Sequence, residues 1–272
     1  MVKIRDKIYK KLSKVRLDSR RRRLQSSGRN AHGWVLVLGV YLMDRENKIE
    51  HLVSSLAKPK KYLLDQKWIT LFGDPPTQAV NQVTIRRKFG RTPKFELINY
   101  LLSTTAWEEY DYVLICDDDI ELPQQFIDDF IDAQEELDFA LAQPARTHNS
   151  YIDHPITEQV DRSLARETHF VEIGPITCFR RDMLKLVAPF DETAPMGWGL
   201  DFVWPRIAEQ HGLKIGIVDA TPVDHSMRPP VSSYDDTKTR EGMEEFLNRV
   251  HHYSRKEAYI TVASYPDHRA GR

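Results

Sequence analysis

The chain has 272 residues, of which 41% are hydrophobic and 29% are charged. That length allows one large domain or two small ones, and the composition excludes a disordered or fibrous chain. Lys and Arg number 39 against 40 Asp and Glu, which excludes a uniformly basic protein, so no nucleic-acid partner is expected. The two cysteines, Cys116 and Cys178, are too few for a disulfide framework and fit a reducing compartment.

Positive charge is concentrated at the start of the chain. Residues 1–32 hold 12 basic and two acidic residues, which leaves residues 33–272 with a net charge of −11. Four apolar residues of this arm share one face of a helix, with lysines around them: Ile4, Ile8, Leu12 and Val15. Four arginines follow at 20–23. Such an amphipathic basic helix can lie on an anionic membrane surface; the alternatives are a solvated arm or a helix docked on the body.

The longest uncharged apolar run, Gly33–Met43, has 11 residues, about half of the ~20 that a membrane-spanning helix needs. No small-residue cleavage site follows it, and 32 residues precede it, which is not the pattern of a signal peptide. We therefore expect a cytoplasmic protein, which the basic arm would place peripherally on the inner face of the membrane.

Strand and helix patterns alternate from residue 33 onward. In chain order the sequence predicts strand Trp34–Leu42, helix Asn47–Leu56, strands Trp68–Phe72 and Val83–Phe89, helix Phe95–Leu102, strand Tyr112–Cys116, helix Pro123–Leu137, strands Phe139–Ala142 and His169–Ile173, helices Arg181–Leu186 and Leu200–Gln210, strand Lys214–Val218 and helix Glu241–Tyr253. This alternation predicts an α/β domain with a mostly parallel central sheet and helices on both faces. Ligands bind such sheets beyond the carboxyl ends of the strands.

One predicted strand runs directly into three carboxylates. Tyr112–Cys116 is followed at once by Asp117, Asp118 and Asp119. Because clustered like charges repel, a cation is their natural compensation, and carboxylate oxygens suit Mn²⁺ or Mg²⁺. A calcium-binding EF-hand loop is excluded, since its sixth residue would be Leu122 where glycine is required. An acidic loop or helix cap before Pro123 is the purely structural alternative.

A second motif, Pro195–Asp201, places two glycines around Trp198 just before a predicted helix. The glycines allow close approach of a ligand, the indole offers a flat platform for a sugar ring, and the helix dipole favours an ionised Asp201. A helix-capping acid and a core tryptophan would explain the same residues. Two weaker signals are His225, which follows a late strand, and the turn at Gly174.

Taken in this order, the motifs resemble nucleotide-sugar glycosyltransferases of the GT-A fold. The stretches 197–201 (Gly-Trp-Gly-Leu-Asp) and 218–225 (Val-Asp-Ala-Thr-Pro-Val-Asp-His) are similar to a little-characterised glycosyltransferase-like family of bacteria and plants. Many of its members have Glu-Asp before the helix where this chain has Leu200-Asp201, so only the aspartate carries over. The resemblance covers about residues 33–230.

The charge distribution separates a basic arm over 1–32, and the resemblance implies a single GT-A-like, Rossmann-like domain over 33–272. Within that domain, residues 33–143 would form the nucleotide-binding half. Residues 144–272 would form the acceptor-binding half and the C-terminal helix.

The resemblance also implies metal-dependent transfer of a sugar from a nucleotide-diphosphate donor, with a UDP-sugar favoured, to a glycan or lipid-linked acceptor. Asp201 would be the general base for an inverting attack. Mn²⁺ or Mg²⁺ would be held by Asp117, Asp119 and His225. Further donor-binding residues are expected at Asp118 and, from position along the chain alone, at Tyr41, Asp44, Arg91 and Lys94. Expected acceptor-binding residues are Gly174, Trp198 and Gly199 and, in the loop after the fifth strand, Arg146, His148 and Asn149.

Two other functions fit the same residues less well. A Mg²⁺-dependent phosphatase or phosphotransferase would use Asp117 as nucleophile. The haloacid-dehalogenase type expects Thr or Val where Glu121 stands, and it places its motif near the start of the domain. The third hypothesis is a non-catalytic nucleotide-sugar-binding module that the basic arm recruits to a membrane.

Overall fold

The computed structural model describes residues 2–26, 31–85, 87–194, 196–229 and 236–268. Nine α-helices and eight strands lie within these ranges. In chain order they are α1 (Val2–Ser26), β1 (Trp34–Leu42), α2 (Ile49–Leu56), β2 (Leu63–Leu71), α3 (Gln78–Val83), α4 (Lys94–Thr104), β3 (Tyr112–Cys116), α5 (Phe126–Glu136), β4 (Phe139–Arg146), β5 (Ser163–Thr168), β6 (Ile176–Arg180), α6 (Arg181–Val187), α7 (Leu200–Gln210), β7 (Lys214–Val223), α8 (Asp236–Leu247), α9 (Arg255–Ala258) and β8 (Thr261–Pro266).

All eight strands form one sheet in the order β2-β1-β3-β6-β4-β7-β5-β8. The pairs β1–β2, β1–β3 and β4–β7 are parallel, whereas β6 is antiparallel to both β3 and β4, and β5 is antiparallel to β7 and β8. Six strands therefore share one direction, and β5 and β6 run against them. The predicted α/β class with a mostly parallel sheet is confirmed, and two reversed strands make the sheet mixed.

Apolar cores cover both faces of the sheet. Leu36 and Leu38 of β1 point to the core that includes α4, α6 and α7, while Val35 and Val37 point to the core that includes α2 and α5. A strand buried on both faces needs apolar residues at every position. This explains why β1 reads as a continuous apolar run rather than an alternating one.

Two predicted strands are absent from the sheet. The range 83–89 begins with the last residue of the helix α3, which Thr77 caps by accepting a hydrogen bond from the backbone amide of Val80. Among the described residues of this range, only Thr84 makes a β-bridge. His169–Ile173 lies between β5 and β6 instead of forming a strand. Its backbone is held by side chains, since the Glu172 amide donates to the side chain of Gln143. The strands β5, β6 and β8 were not predicted, and α8 begins and ends earlier than expected.

The helix α1 docks on the body by one face. Leu17 is buried in the core beside α4, and basic side chains of the same face pair with carboxylates of the body. These ion pairs are Lys10–Glu108, Lys14–Glu109, Arg20–Asp65 and Arg21–Glu109. None of the helices in the described ranges combines the length and apolar character that crossing a bilayer requires.

The predicted apolar stripe of this helix lies on the opposite face. Ile8, Leu12 and Val15 are 54%, 51% and 54% exposed. The side chain of Ile4 is outside the described part of the structure. The helix α1 is therefore docked on the body by one face and presents an apolar stripe on the other.

Candidate active site

A pocket of about 1020 Å³ opens at the edge of the sheet where β1, β3 and β4 end. This size and position are those of a ligand-binding cleft in an α/β fold. Most of the predicted site residues line it: Asp44, Arg91, Lys94, Asp117, Asp118, Asp119, Arg146, Gly174, Trp198, Gly199, Asp201 and His225. The tertiary structure thus brings the three main motifs to one cavity.

Three predicted site residues are not brought to this pocket. Tyr41 is fully buried on the α2 face of β1, because residues of a strand alternate between its faces, and its hydroxyl lies 2.9 Å from Thr84 Oγ1. His148 is exposed and pairs with acidic residues of its own loop. Asn149 donates to Asp224 Oδ2 at 2.7 Å and so braces the segment that leads to His225.

Asp117 extends from the end of β3 toward the turn at Gly174. Its backbone amide donates to the carbonyl of Pro175 at 2.8 Å, and its Oδ1 lies 2.6 Å from Lys94 Nζ. A Cβ at Gly174 would lie 2.8 Å from Asp117 Oδ2. A side chain at position 174 would displace this carboxylate, so glycine lets the turn and Asp117 approach each other, with Lys94 as the counter-charge.

Asp118 is buried and links the end of β1 to the segment that follows β7. Its Oδ2 accepts a hydrogen bond from the backbone amide of Leu42 at 2.7 Å, where β1 ends. Its Oδ1 pairs with Arg228. Burial raises the pKa of Asp118 to about 6, although the nearby guanidinium opposes this shift.

Asp119 lies between the side chains of His225 and Arg228. Its Oδ1 is 3.4 Å from His225 Nε2, and its Oδ2 is 2.9 Å from Arg228 Nε. Burial by itself would raise the pKa of Asp119, but His225 and Arg228 outweigh it and hold that pKa below its ordinary value. Asp119 is therefore an ionised carboxylate in a buried position.

Asp119 and His225 are the residues that fit a divalent ion. Neighbouring ligands of an octahedral ion lie about 3 Å apart when each is ~2.1 Å from it, close to the 3.4 Å between Asp119 Oδ1 and His225 Nε2. Mg²⁺ and Mn²⁺ accept few protein ligands and take waters and phosphate oxygens for the rest. No group of three or more His, Cys, Asp or Glu side chains arranged for a metal occurs within the described ranges. Asp117 faces Lys94 instead.

Asp201 occupies the first turn of α7 on another wall of the pocket. Gly199, with φ of 95°, makes the left-handed turn that starts the helix, a conformation that glycine adopts without strain. The carboxylate is buried, and its Oδ1 has no hydrogen-bond partner among the described residues. Burial, reinforced by the negative charge of Glu172, raises the pKa of Asp201 to about 8.

Glu172 is a pocket residue to which the sequence assigned no role. It is buried, its Oε2 lacks a hydrogen-bond partner within the described structure, and burial raises its pKa to about 7 against the opposing charge of Arg146. Arg146 is itself buried, lies 2.5 Å from Glu172 Oε1, and donates to the carbonyl of Tyr151 at 2.6 Å. The only available signal was its position before the Gly174 turn.

Trp198 forms a wall of the pocket beside α8. The guanidinium of Arg240 lies 5.4 Å from the centre of the Trp198 ring, within the range of a cation–π contact. Met243 and Leu247 of α8 line the same side. This wall is apolar and aromatic, in contrast to the charged end near β3.

Arg228 is a further pocket residue to which the sequence analysis assigned no role. It follows the predicted ligand His225 by three residues, and this proximity was the available signal. Its partners, Asp118 and Asp119, follow β3 and lie more than a hundred residues earlier, so only the folded chain brings these charges together.

Comparisons with known structures identify the fold. GalNAc-T7, in a crystal structure with UDP, GalNAc and Mn²⁺, matches at 12% identity and a TM-score of 0.54, over 77% of this chain and 47% of that one. A mycobacterial protein matches at 16% identity and a TM-score of 0.50, over 89% of each chain. The fold is the GT-A fold. S. aureus TarS in complex with UDP-GlcNAc is 13% identical over 79% of this chain and 72% of that one, with a TM-score of 0.48.

The predicted resemblance to the GT-A fold is thereby confirmed at the level of architecture. This chain spans less than half the length of the GalNAc-T7 chain that it matches. No family model and no curated protein matches the sequence. The resemblance to the narrower bacterial and plant family therefore stays a prediction.

The raised pKa of Asp201 predicts how Asp201→Asn changes stability. Between the ordinary pKa of 3.8 and the folded value of about 8, the folded protein retains a proton that the unfolded chain releases, so wild-type stability falls as pH rises through this window. We expect the variant to melt above the wild type at about pH 8. The difference in melting temperature between the two proteins should narrow as pH is lowered toward about 4. Each kcal/mol of difference in the free energy of unfolding corresponds to ~2–4 °C.

Calorimetry of both proteins across that range measures the gap. Asp74→Asn, at an exposed aspartate, is the matched control and should follow the wild type at every pH. A constant offset between Asp201→Asn and the wild type would contradict the raised pKa.

Proposed function

We propose that the chain is a glycosyltransferase that transfers a sugar from a nucleoside-diphosphate donor to an acceptor hydroxyl. One observation carries this proposal. A single pocket of a GT-A fold contains both the carboxylates at the end of β3, with their cations, and the buried carboxyl group of Asp201, whose Oδ1 has no hydrogen-bond partner within the described structure. The first group suits a charged diphosphate, and the second suits removal of a proton from a hydroxyl.

The donor side would be the end of the pocket nearest β1 and β3. We propose a UDP-sugar, because the fold neighbour GalNAc-T7 is seen with UDP and Mn²⁺. Lys94 and Arg91 at the start of α4 would contact the diphosphate or the nucleotide. Asp44 lies just after β1 at the same rim, where Asp118 fixes the end of that strand.

Asp119 and His225 would hold Mn²⁺ or Mg²⁺ on this side. When bound, the ion would supply charge neutralisation for the diphosphate as it leaves. Asp117, which was expected as a further ligand, is proposed to act toward the donor together with Lys94, since those two side chains already form a pair.

The acceptor side would be the end of the pocket lined by Asp201. Its unpartnered Oδ1 would accept the proton of the attacking hydroxyl, and direct attack on the anomeric carbon would invert its configuration. Because burial keeps the pKa of Asp201 near 8, the ionised base becomes more abundant as pH rises to about 8. Turnover should rise over the same range.

The remaining pocket walls suit a sugar or another polyol. Trp198 offers a flat apolar surface, and the glycines at 174 and 199 let the backbone lie close to Asp117 and to α8 at the pocket wall. Arg146 holds Glu172 in place beside Asp201. We therefore propose a glycan or lipid-linked acceptor that carries several hydroxyl groups.

We further propose that α1 attaches the protein to an anionic membrane surface from the cytoplasmic side. Ile8, Leu12 and Val15 face outward while the other side of the helix is paired with the body. Four exposed basic residues accompany this stripe: Lys7, Lys11, Arg16 and Arg22. An outward apolar stripe with cationic flanks is the arrangement of helices that lie in the membrane interface.

Asp119→Ala tests the donor site. We expect it to abolish Mn²⁺-dependent binding of UDP and turnover of UDP-sugars, because it removes the carboxylate that faces His225. Calorimetric titration of UDP in Mn²⁺ measures the binding. Asp74→Asn, at an exposed aspartate that does not line the pocket, is the control. Full UDP affinity in Asp119→Ala would refute the metal assignment, and faster turnover of a simple phosphomonoester than of any UDP-sugar would favour the phosphatase alternative with Asp117 as nucleophile.

Asp201→Asn tests the base. We expect nearly unchanged donor affinity and a turnover lower by roughly 10²–10⁴, the usual contribution of a positioned general base. Steady-state kinetics with a UDP-sugar, together with UDP titration, separate the two quantities. A variant that loses donor affinity but keeps its turnover would show a binding role for Asp201.

Ile8→Asp combined with Leu12→Asp tests the membrane contact. We expect the wild type to sediment with phosphatidylglycerol vesicles at low salt and the double variant to stay in solution, since a carboxylate cannot enter the acyl boundary. High salt should weaken the wild-type attachment. Val160→Asp with Val262→Asp, at other exposed apolar residues, should still sediment. Wild-type protein that remains in the supernatant at low salt would refute the proposal.

A further inference from the structure

Arg228 makes contacts that no proposed step yet uses. It lies five residues beyond the end of β7, and its guanidinium spans two carboxylates of the β3 motif. Nε lies 2.9 Å from Asp119 Oδ2, Nη2 bonds Asp118 Oδ1, and Nη1 donates to the carbonyl of Glu46 at 3.2 Å. Both aspartates are at least nine-tenths buried.

This contact gives the carboxylates a counter-charge from within the chain. Two buried like charges without a cation would be costly, and one guanidinium matches two carboxylates with directed hydrogen bonds. The guanidinium holds Oδ2 of Asp119, whereas an ion beside His225 would use Oδ1, so the two cations would share one carboxylate and repel each other. Arg228 and the ion therefore compete for Asp119.

Arg228 is also suited to a second partner. A guanidinium presents a planar fork of donors that fits phosphate oxygens as well as carboxylates. It lines the same pocket as Lys94, and its side chain is 16% exposed, so it lies at the wall rather than beneath it. Arrival of a diphosphate would bring negative charge within its reach.

We propose that Arg228 is a donor-binding residue that changes partners. Without nucleotide it neutralises Asp118 and Asp119. When a nucleoside diphosphate and a divalent ion bind together, the ion neutralises Asp119 instead, and the guanidinium moves to the diphosphate. The inference rests on the proposed function, and it has a direct consequence: nucleotide and ion bind interdependently, because each removes the obstacle to the other.

Titration of Mn²⁺, with the free ion followed by electron paramagnetic resonance, tests this inference in the presence and absence of UDP. In the wild type, UDP should raise the affinity for Mn²⁺ at least about tenfold, within the range usual for coupled sites. Arg228→Gln should bind Mn²⁺ without UDP about tenfold more tightly than the wild type and lose most of this coupling. Its affinity for UDP in saturating Mn²⁺ should fall.

Two further variants accompany that experiment. Arg45→Gln removes an equal charge from the same rim, where Arg45 bonds Asp44, and should keep wild-type coupling. Arg228→Lys retains the charge without the fork and should bind Mn²⁺ with intermediate affinity. If the glutamine variant does not fold, as judged by its melting curve, the lysine variant alone carries the test.

Equal Mn²⁺ affinity of the wild type and the Arg228 variants without UDP would overturn the inference. If Mn²⁺–UDP binding then still vanished in Asp119→Ala, the proposed function would stand. UDP binding that needs Arg228 but no Mn²⁺ would show instead that the arginine replaces the ion permanently. Absence of Mn²⁺ binding in every variant, even with UDP, would refute this inference and the proposed metal site together.

Discussion

Three consecutive carboxylates at the end of a buried strand require positive charge, and much of the pocket consists of residues that supply it. Lys94 comes from the start of α4, while His225 and Arg228 come from the segment after β7. Asp118 also binds the end of β1 through the Leu42 amide. Lys94 pairs with Asp117, Arg228 pairs with both Asp118 and Asp119, and the Leu42 amide bonds Asp118. Ion pairs and hydrogen bonds at this one point therefore draw together the ends of β1, β3 and β7 and the start of α4.

The opposite end of the pocket has the reverse electrostatics. Asp201 and Glu172 are buried with a single guanidinium, Arg146, bonded to the glutamate, and an oxygen of each acid has no partner among the described residues. Burial therefore raises both pKa values, whereas His225 and Arg228 hold that of Asp119 low. Environments that push carboxyl pKa values apart divide the work of a site between charge stabilisation and proton transfer. At one end of the pocket, Asp119 provides an ionised carboxylate beside the cations that suit a charged ligand. At the other end, Asp201 can accept a proton from a neutral ligand.

The helix α1 meets two requirements with two faces. Leu17 packs in the core, and the basic residues around it pair with acidic groups near the amino ends of the strands, such as Asp65 and Glu109. These groups lie on the edge of the sheet opposite the pocket. The outward face retains Ile8, Leu12 and Val15. Attachment through that face would leave the pocket entrance clear, because the two features lie at opposite edges of the sheet. Within the described part of α1, Lys10, Lys14, Arg20 and Arg21 pair with the body, and a second set of exposed basic residues accompanies the outward face.

The sequence by itself determined the α/β class, the buried strands β1 and β3, the acidic motif, and the helix that begins before Asp201. These are local features, since strand burial and helix capping depend on neighbours within a few residues. It misplaced strands at 83–89 and 169–173 and missed β5, β6 and β8, because a short segment joins a sheet only when a partner strand offers its edge. It also missed Glu172 and Arg228, and it assigned Tyr41 to a pocket from which strand alternation removes it. Only the tertiary structure decided which charges meet: Asp119 lies more than a hundred residues from Arg228, and its burial and ion pairs arise from contacts between distant parts of the chain.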